Sequence, residues 1–208
     1  KSKNGWKLRT LLASNILAQN KDMMKIFFPG KKNVSLVPRG VDTEELLPRP
    51  KDRKLLEKYR VRKDEKVILA VANLVPVKGI EILLDAFELL SEKHNSIRLF
   101  IVGDKENDYG RKMEAKTIQS PCSARVHFTG KVQNVSDYYS IADVFVLPTL
   151  DEGRREGCPV SLLEAMASGL PVVASDIPGV KDILYSFPEH MFEAGNAVHL
   201  INKINEYF

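Results

Sequence analysis

From Lys66 onward, short apolar runs alternate with longer segments whose apolar residues recur at helical spacing. The runs are Val67 to Ala72, Ile97 to Val102, Val126 to Thr129, Val144 to Leu147 and Pro171 to Ala174. Each has the length of a strand covered on both faces. Between the first two, Glu81 to Lys93 carries Ile82, Leu83, Ala86, Phe87 and Leu90 on one helical face. Arg111 to Ser120, Val135 to Ala142 and Val160 to Ser168 predict further helices, the first of them more polar. Beyond Asp176 the pattern predicts a short helix over Val180 to Leu184, a short strand at Met191 and Phe192, and a helix over Ala197 to Tyr207. Alternating strands and helices imply an α/β fold, a Rossmann-like parallel sheet with helices on both faces. The strand ends at Asn73, Gly103, Gly130, Pro148 and Ser175 then share one edge, where ligand groups gather.

The chain before Lys66 is less regular. Ile16 to Ala18 predicts a strand, and Lys21 to Phe28 a short helix ended by Pro29 and Gly30. Val34 to Val37 is another short strand, followed by a turn over Pro38 to Asp42. Leu46 to Asp52 holds two prolines and reads as a linker. This opening is too small for a core of its own, so residues 1–37 are expected to be the tail of a preceding domain and residues 38–52 a connection to the domain over 53–208. The first residue is Lys rather than Met, so the natural N-terminus is expected upstream.

Composition narrows the picture further. A chain of 208 residues holds one full domain and part of another. Its net charge of +4 is modest. The basic clusters before Thr10 and over Pro48 to Lys66 read as solvated surface that could also lie near acidic lipid. Cys122 and Cys158 form neither a zinc pattern nor a disulfide framework, which favours a reducing compartment and a cytoplasmic location. No apolar run approaches membrane-spanning length, and no signal peptide is visible. His94, His127, His190 and His199 share no metal spacing, so packing or surface roles are expected for each.

The candidate chemistry lies between Val144 and Asp176, a strand–loop–helix–strand unit. Glu156 in the loop and Glu164 one turn into the helix flank the seven residues GCPVSLL. Pro159 suits the first turn, where its missing N–H has no intrahelical partner to lose. The amides around Cys158, Val160 and Ser161 at such a helix start favour a phosphate. A carboxylate on each side is poorly placed to bind phosphate and well placed to accept hydrogen bonds from hydroxyls. The loop therefore suits a molecule with phosphate in the middle and hydroxyl-bearing rings at both ends, the shape of a sugar nucleotide. The loop Asn73 to Gly79 (NLVPVKG) places Lys78 before a helix, where it can reach a pyrophosphate or be an ordinary surface lysine. There is no Walker loop and no GxGxxG, which disfavours a nucleoside triphosphate or a nicotinamide cofactor. Asp176 is expected to cap the segment after it.

These segments together resemble the carboxyl-terminal half of the retaining glycosyltransferases of GT-B architecture, family 4 or group 1. Glu156-Gly-Cys-Pro-Val-Ser-Leu-Leu-Glu164 and the following Ala165-Met-Ala-Ser-Gly-Leu-Pro-Val-Val-Ala-Ser-Asp176 carry the resemblance. Asn73 to Gly79, Val37 to Asp42, Val126 to Lys131 and Ala142 to Pro148 support it. The resemblance implies that residues 53–208 bind a nucleoside-diphosphate sugar, with UDP or GDP as the expected nucleotides. It implies that Lys78 binds the diphosphate and that Glu156 hydrogen-bonds donor-sugar hydroxyls, these two acting in catalysis. Gly157, Cys158, Pro159 and Val160 would meet sugar and phosphate through the backbone, Glu164 would hold the ribose, and Lys131 and Val132 would contact the base. It also implies retention of anomeric configuration, no cofactor and no dedicated metal, and a glycan or lipid-linked acceptor bound by a preceding domain, so that this chain alone is expected to bind donor without transferring sugar. Contact with nucleic acid is not expected; peripheral contact with the inner face of a membrane is. Many members carry arginine where Asn73 stands, which places more of the charge on Lys78. Glu152-Gly153 mimics the signature pair, but only Glu156 has the right spacing to Glu164. Arg154 and Arg155 would add charge near the donor or face solvent, and Trp6 would pack on a preceding domain or touch substrate. A non-catalytic sugar-nucleotide-binding module and a sugar-nucleotide epimerase of the same architecture are the rival readings.

Overall fold

The computed structural model describes residue 8, residues 10–152 and residues 156–208. Trp6, the basic residues before Leu8, Gly153, Arg154 and Arg155 lie outside the described residues. Two strands form a small sheet near the start, β1 (Ile16–Ala18) and β2 (Val34–Leu36), parallel and in register from Ile16 opposite Val34. Between them lies α1 (Lys21–Phe27), capped at its start by Asn20. A helix that the sequence reading did not foresee follows the proline-rich linker: α2 (Arg53–Lys58), whose Leu55 amide donates to the Asp52 side chain.

The main sheet has six strands, all parallel. They are β3 (Lys66–Val71), β4 (Ile97–Val102), β5 (Val126–Gly130), β6 (Val144–Leu147), β7 (Val172–Ser175) and β8 (Met191–Phe192). Their order across the sheet is β5-β4-β3-β6-β7-β8. The helices between and after them are α3 (Ile80–Lys93), α4 (Asp108–Ile118), α5 (Val135–Ile141), α6 (Val160–Ala167), α7 (Pro178–Ile183) and α8 (Ala197–Asn205).

Period-two alternation sorts each strand's residues between two cores. On β3, Ile68 and Ala70 join Leu83, Phe87, Leu90, Leu200 and Ile204 on one face, under α3 and α8. Val67 and Leu69 join Tyr139, Phe145, Leu162 and Val180 on the other, under α5, α6 and α7. Both faces are covered, which is why the strands read as continuous apolar runs rather than as alternating ones. The expected Rossmann-like layering is thus observed.

The topology sets the location of the site. From β3 the chain moves outward through β4 to β5, then returns to the other side of β3 to lay down β6 and continue through β7 to β8. The strand order reverses between β3 and β6, and the loops leaving these strands diverge. A crevice therefore opens at their carboxyl ends.

At the amino ends of the strands a buried polar cluster braces the sheet. Glu65 bridges Arg98 at 3.0 Å and accepts from the Arg62 amide at 2.7 Å. Arg98 also donates to the carbonyls of Tyr59 and Arg60, and its guanidinium lies 3.3 Å from the His127 ring nitrogen. Burial, helped by the Arg98 charge and opposed by Glu65, pushes His127 down to about 4. An unfolded chain protonates the same histidine near pH 6.5. Below that value the unfolded state binds a proton that the folded state does not, so stability is full above about pH 6.5 and falls as pH drops toward 4. The His127 contribution lost over that window is at most about 3 kcal/mol. Thermal melts across pH 4–7 should show this acid loss, and a H127Q variant should show a flatter profile; equal slopes would contradict the assignment.

Candidate functional site

The loop after β3 begins at Ala72 and Asn73, passes through a single 3₁₀ turn (Pro76–Lys78), and enters α3 at Gly79. Gly79 has φ of 65°, the left-handed conformation that ends the turn and starts the helix. A Cβ built there would lie 1.9 Å from the Pro148 carbonyl oxygen. The loops after β3 and β6 are therefore in backbone contact, and the Leu150 amide donates to the Val77 carbonyl at 2.8 Å. This contact holds Lys78 over the crevice.

Opposite Lys78 stands Glu156. The Lys78 ammonium meets the Glu156 carboxylate directly, and both side chains are mostly buried, at 21% and 16% exposure. They belong to loops that leave neighbouring strands, so the strand reversal is what brings them together.

Helix α6 follows. Pro159 is its N-cap, with φ −71° and ψ 104°, rather than a member of the first turn as expected from the sequence. Its carbonyl accepts the first helical bonds, from Leu162 and Leu163 at 3.2 and 3.4 Å. The helix starts at Val160, as expected, and the amides left without an intrahelical acceptor are those of Val160 and Ser161. The positive end of the short helix is aimed at the crevice, since Pro159, Val160 and Ser161 all line it.

The crevice has a volume of about 340 Å³. Of the residues expected from the sequence, Asn73, Lys78, Lys131, Val132, Glu156, Pro159 and Val160 line it. Gly157, Cys158 and Glu164 are not among its lining residues. The Cys158 thiol is buried beneath the loop. Glu164 lies one helical turn beyond Val160 and Ser161. Its carboxylate accepts a 2.8 Å hydrogen bond from the hydroxyl of Tyr139, which is 1% exposed. Burial, and then the Glu164 charge, raises the Tyr139 pKa, so this phenol stays a neutral donor and fixes one Glu164 oxygen. The second oxygen has no described partner.

At the far end of the crevice Lys131 pairs with Asp104 at 2.9 Å. The hydrogen bond from Lys131, with one from the Glu106 amide, lowers the Asp104 pKa. Val71, Val102, Gly103 and Val132 make this end more apolar than the Lys78 end. The crevice thus runs from an ion pair and a helix amino terminus at one end to an apolar slot with a single ion pair at the other.

Several contributors were not foreseen from the sequence. Asn20, 3% exposed, donates from Nδ2 to the carbonyls of Glu156 at 3.2 Å and Gly157 at 2.6 Å. Gly179 in α7 backs the same carbonyls, where a Cβ would come within 2.7 Å of the Glu156 oxygen. The only local signal for Asn20 was its position just before the Lys21 helix, which marks a cap and nothing more. Asp176 does not cap α7; the N-cap is Ile177, and Asp176 pairs instead with Lys181 at 3.1 Å. Among the described residues no group of three or more His, Cys, Asp or Glu could hold a metal ion, and no helix is long and apolar enough to cross a membrane.

Comparison with known proteins places this geometry. A family profile described as "Glycosyl transferases group 1" matches residues 51–208. A lipopolysaccharide 1,2-N-acetylglucosaminetransferase of Salmonella typhimurium is 30% identical over 184 residues, covering 83% of this chain and 46% of that protein. An uncharacterized glycosyltransferase of Haemophilus influenzae is 36% identical over 132 residues, covering 62% of this chain and 36% of that protein. This chain thus spans less than half the length of these curated relatives. Among solved structures, Anabaena HepE in complex with UDP and glucose matches with a TM-score of 0.84 at 23% identity, over 99% of this chain and 57% of that one. A Rickettsia africae glycosyltransferase matches with a TM-score of 0.83 at 19% identity, over 99% of this chain and 56% of that one. These likenesses confirm a GT-B-type α/β fold.

Proposed function

This chain belongs to the group 1 glycosyl transferases, and we propose that it is the donor-binding half of a retaining glycosyltransferase that moves a hexosyl group from a nucleoside-diphosphate sugar to a glycan or lipid-linked acceptor. The observation that carries this reading is the meeting of Lys78 and Glu156 across the crevice, beside the free amides of Val160 and Ser161. A cation and a helix amino terminus converge on one spot, as a diphosphate requires. The carboxylate there can turn from Lys78 to the hydroxyls of the attached sugar once the phosphates take over the ammonium.

Each end of the donor has a counterpart. The base would occupy the slot formed by Gly103, Lys131 and Val132. The ribose hydroxyls would bind the Glu164 oxygen that Tyr139 leaves free, one turn along α6 from the phosphate amides. The sugar would lie toward Glu156 and the backbone of Gly157 and Cys158. In the reaction proposed, the bond between the anomeric carbon and the β-phosphate oxygen breaks while the acceptor oxygen attacks from the same face. The acceptor proton passes to the departing phosphate. Lys78 stabilises the charge that develops on that phosphate, and Glu156 orients the sugar. The acceptor side is assigned to the part of the relatives that this chain does not span, and residues 1–37 to the tail of that part.

Titration calorimetry with UDP, GDP and ADP tests the reading. One of the three is expected to bind, and E164A is expected to weaken it about fivefold or more, the effect of losing a hydrogen bond worth about 1 kcal/mol. If none of the three binds, the donor site is elsewhere. If binding survives E164A unchanged, the ribose assignment fails.

A further inference from the structure

The strongest contact that the proposed reaction leaves unused is Asn20. This residue sits between β1 and α1, in the segment expected to be the tail of a preceding domain, and it is almost wholly buried against the donor loop. Its two polar atoms have separate tasks. Oδ1 accepts from the Met23 amide at 2.7 Å and caps α1. Nδ2 crosses to the carbonyls of Glu156 and Gly157. The same carbonyls are closed off on their other side by the bare Cα of Gly179. Helix α1 is itself tied to α7, because the Lys21 amide donates to the Asp182 carboxylate at 2.7 Å. The peptide that bears the Glu156 side chain is therefore gripped between two helices from distant parts of the chain.

We propose that Asn20 is a positioning residue for Glu156, so that docking of the β1–α1 segment sets how well the sugar end of the donor is held. This rests on the donor site proposed above. The direction of the Glu156 carboxylate follows from the orientation of its own peptide, and that orientation is set by the Asn20 amide and by Gly179. The phosphate and base ends of the crevice depend on Lys78, α6 and β5 and do not touch Asn20. Loss of the Asn20 amide donor should then be felt by the sugar and not by the nucleotide.

The two atoms of Asn20 can be separated by substitution. Asn20→Asp keeps the oxygen that caps α1, and aspartate caps as well as asparagine. It removes the donor and sets a carboxylate against two carbonyl oxygens. Kd values would be measured by calorimetry for UDP and UDP-glucose, for GDP and GDP-mannose, and for ADP and ADP-glucose, on the wild-type chain and on N20D, with a thermal melt of each. The expected result is an N20D melt lowered by the carboxylate buried against two carbonyls, with, at temperatures where both chains are folded, diphosphate binding within twofold of wild type and a Kd ratio of sugar nucleotide to diphosphate about fivefold higher or more. An unchanged ratio, or both ligands weakening in step, overturns the positioning role and leaves Asn20 a helix cap. A wild-type chain that binds none of the three pairs overturns the donor site itself, and the role of Asn20 with it. Should N20D melt too early for titration, Asn20→Ser, which also caps, gives the same comparison.

Discussion

Replacing Lys78 with methionine is expected to weaken nucleoside diphosphate binding roughly ten- to hundred-fold, the range for losing hydrogen bonds to a charged group. Two effects act in the same direction. The ammonium that would meet the phosphates is removed, and the Glu156 carboxylate, 16% exposed and paired among the described residues with Lys78, is left as an anion without that partner in the same space. Among the described residues that line the crevice no neighbour can substitute: Asn73 has no charge, and Lys131 is already paired with Asp104 at the other end. The two effects are separable, since K78M combined with E156Q should recover part of the lost affinity by removing the repulsion. Calorimetry on the single and double variants decides. A K78M chain that binds within a factor of about three of wild type would place the phosphates elsewhere, and a double variant no better than the single would remove the repulsion term.

The largest expected effect on stability is at Gly79. Alanine there must adopt a left-handed backbone, at about 1–2 kcal/mol, and its Cβ meets the Pro148 carbonyl, a backbone atom that cannot swing aside. Overpacking of that kind costs a further 1–3 kcal/mol or so, for a total of roughly 3 kcal/mol or more. In a chain of this size each kcal/mol lowers Tm by about 2–4 °C, so G79A should melt about 6–12 °C below wild type. Because the contact is between the two loops that form the crevice, nucleotide affinity should fall along with stability. A G79A protein that melts within 2 °C or so of wild type would mean that the two loops separate freely.

Much of this architecture was legible in the sequence, and the reasons are local. Runs such as Leu99 to Val102 and Val144 to Leu147 are apolar throughout and end at Gly103 and Pro148, so their ends as strands were legible. The Lys78 and Glu156 loops could be read because a parallel sheet puts every strand's carboxyl end on one edge. Helix α2 was missed because it is six residues long, mostly charged, and follows a proline-rich stretch; its one signal was Asp52 in the cap position. The start of α6 at Val160 was legible; Pro159 sits at the cap rather than in the first turn, because proline suits both positions. The partners of Glu164 and Glu156 could not be read at all. Tyr139 and Asn20 reach them from other elements, and nothing in the local pattern of either residue marks a long-range bond. Asn20 lies in the segment expected to be the tail of a preceding domain, and its amide lies against the donor loop.

The order of strands in the sheet also bears on how such a chain emerges from the ribosome. Strand β3 can zip to β4 as soon as one intervening helix has been made, and β4 to β5 soon after. Its other edge, bonded in the native state from Ile68 opposite Val144, must stay bare until β6 has been synthesised. Long-range parallel pairing of this kind is slow, because loop closure comes before its reward. The seam that completes the ligand crevice is therefore among the late ones to close during synthesis, and until then the unpaired backbone of a largely apolar strand is open to wrong partners.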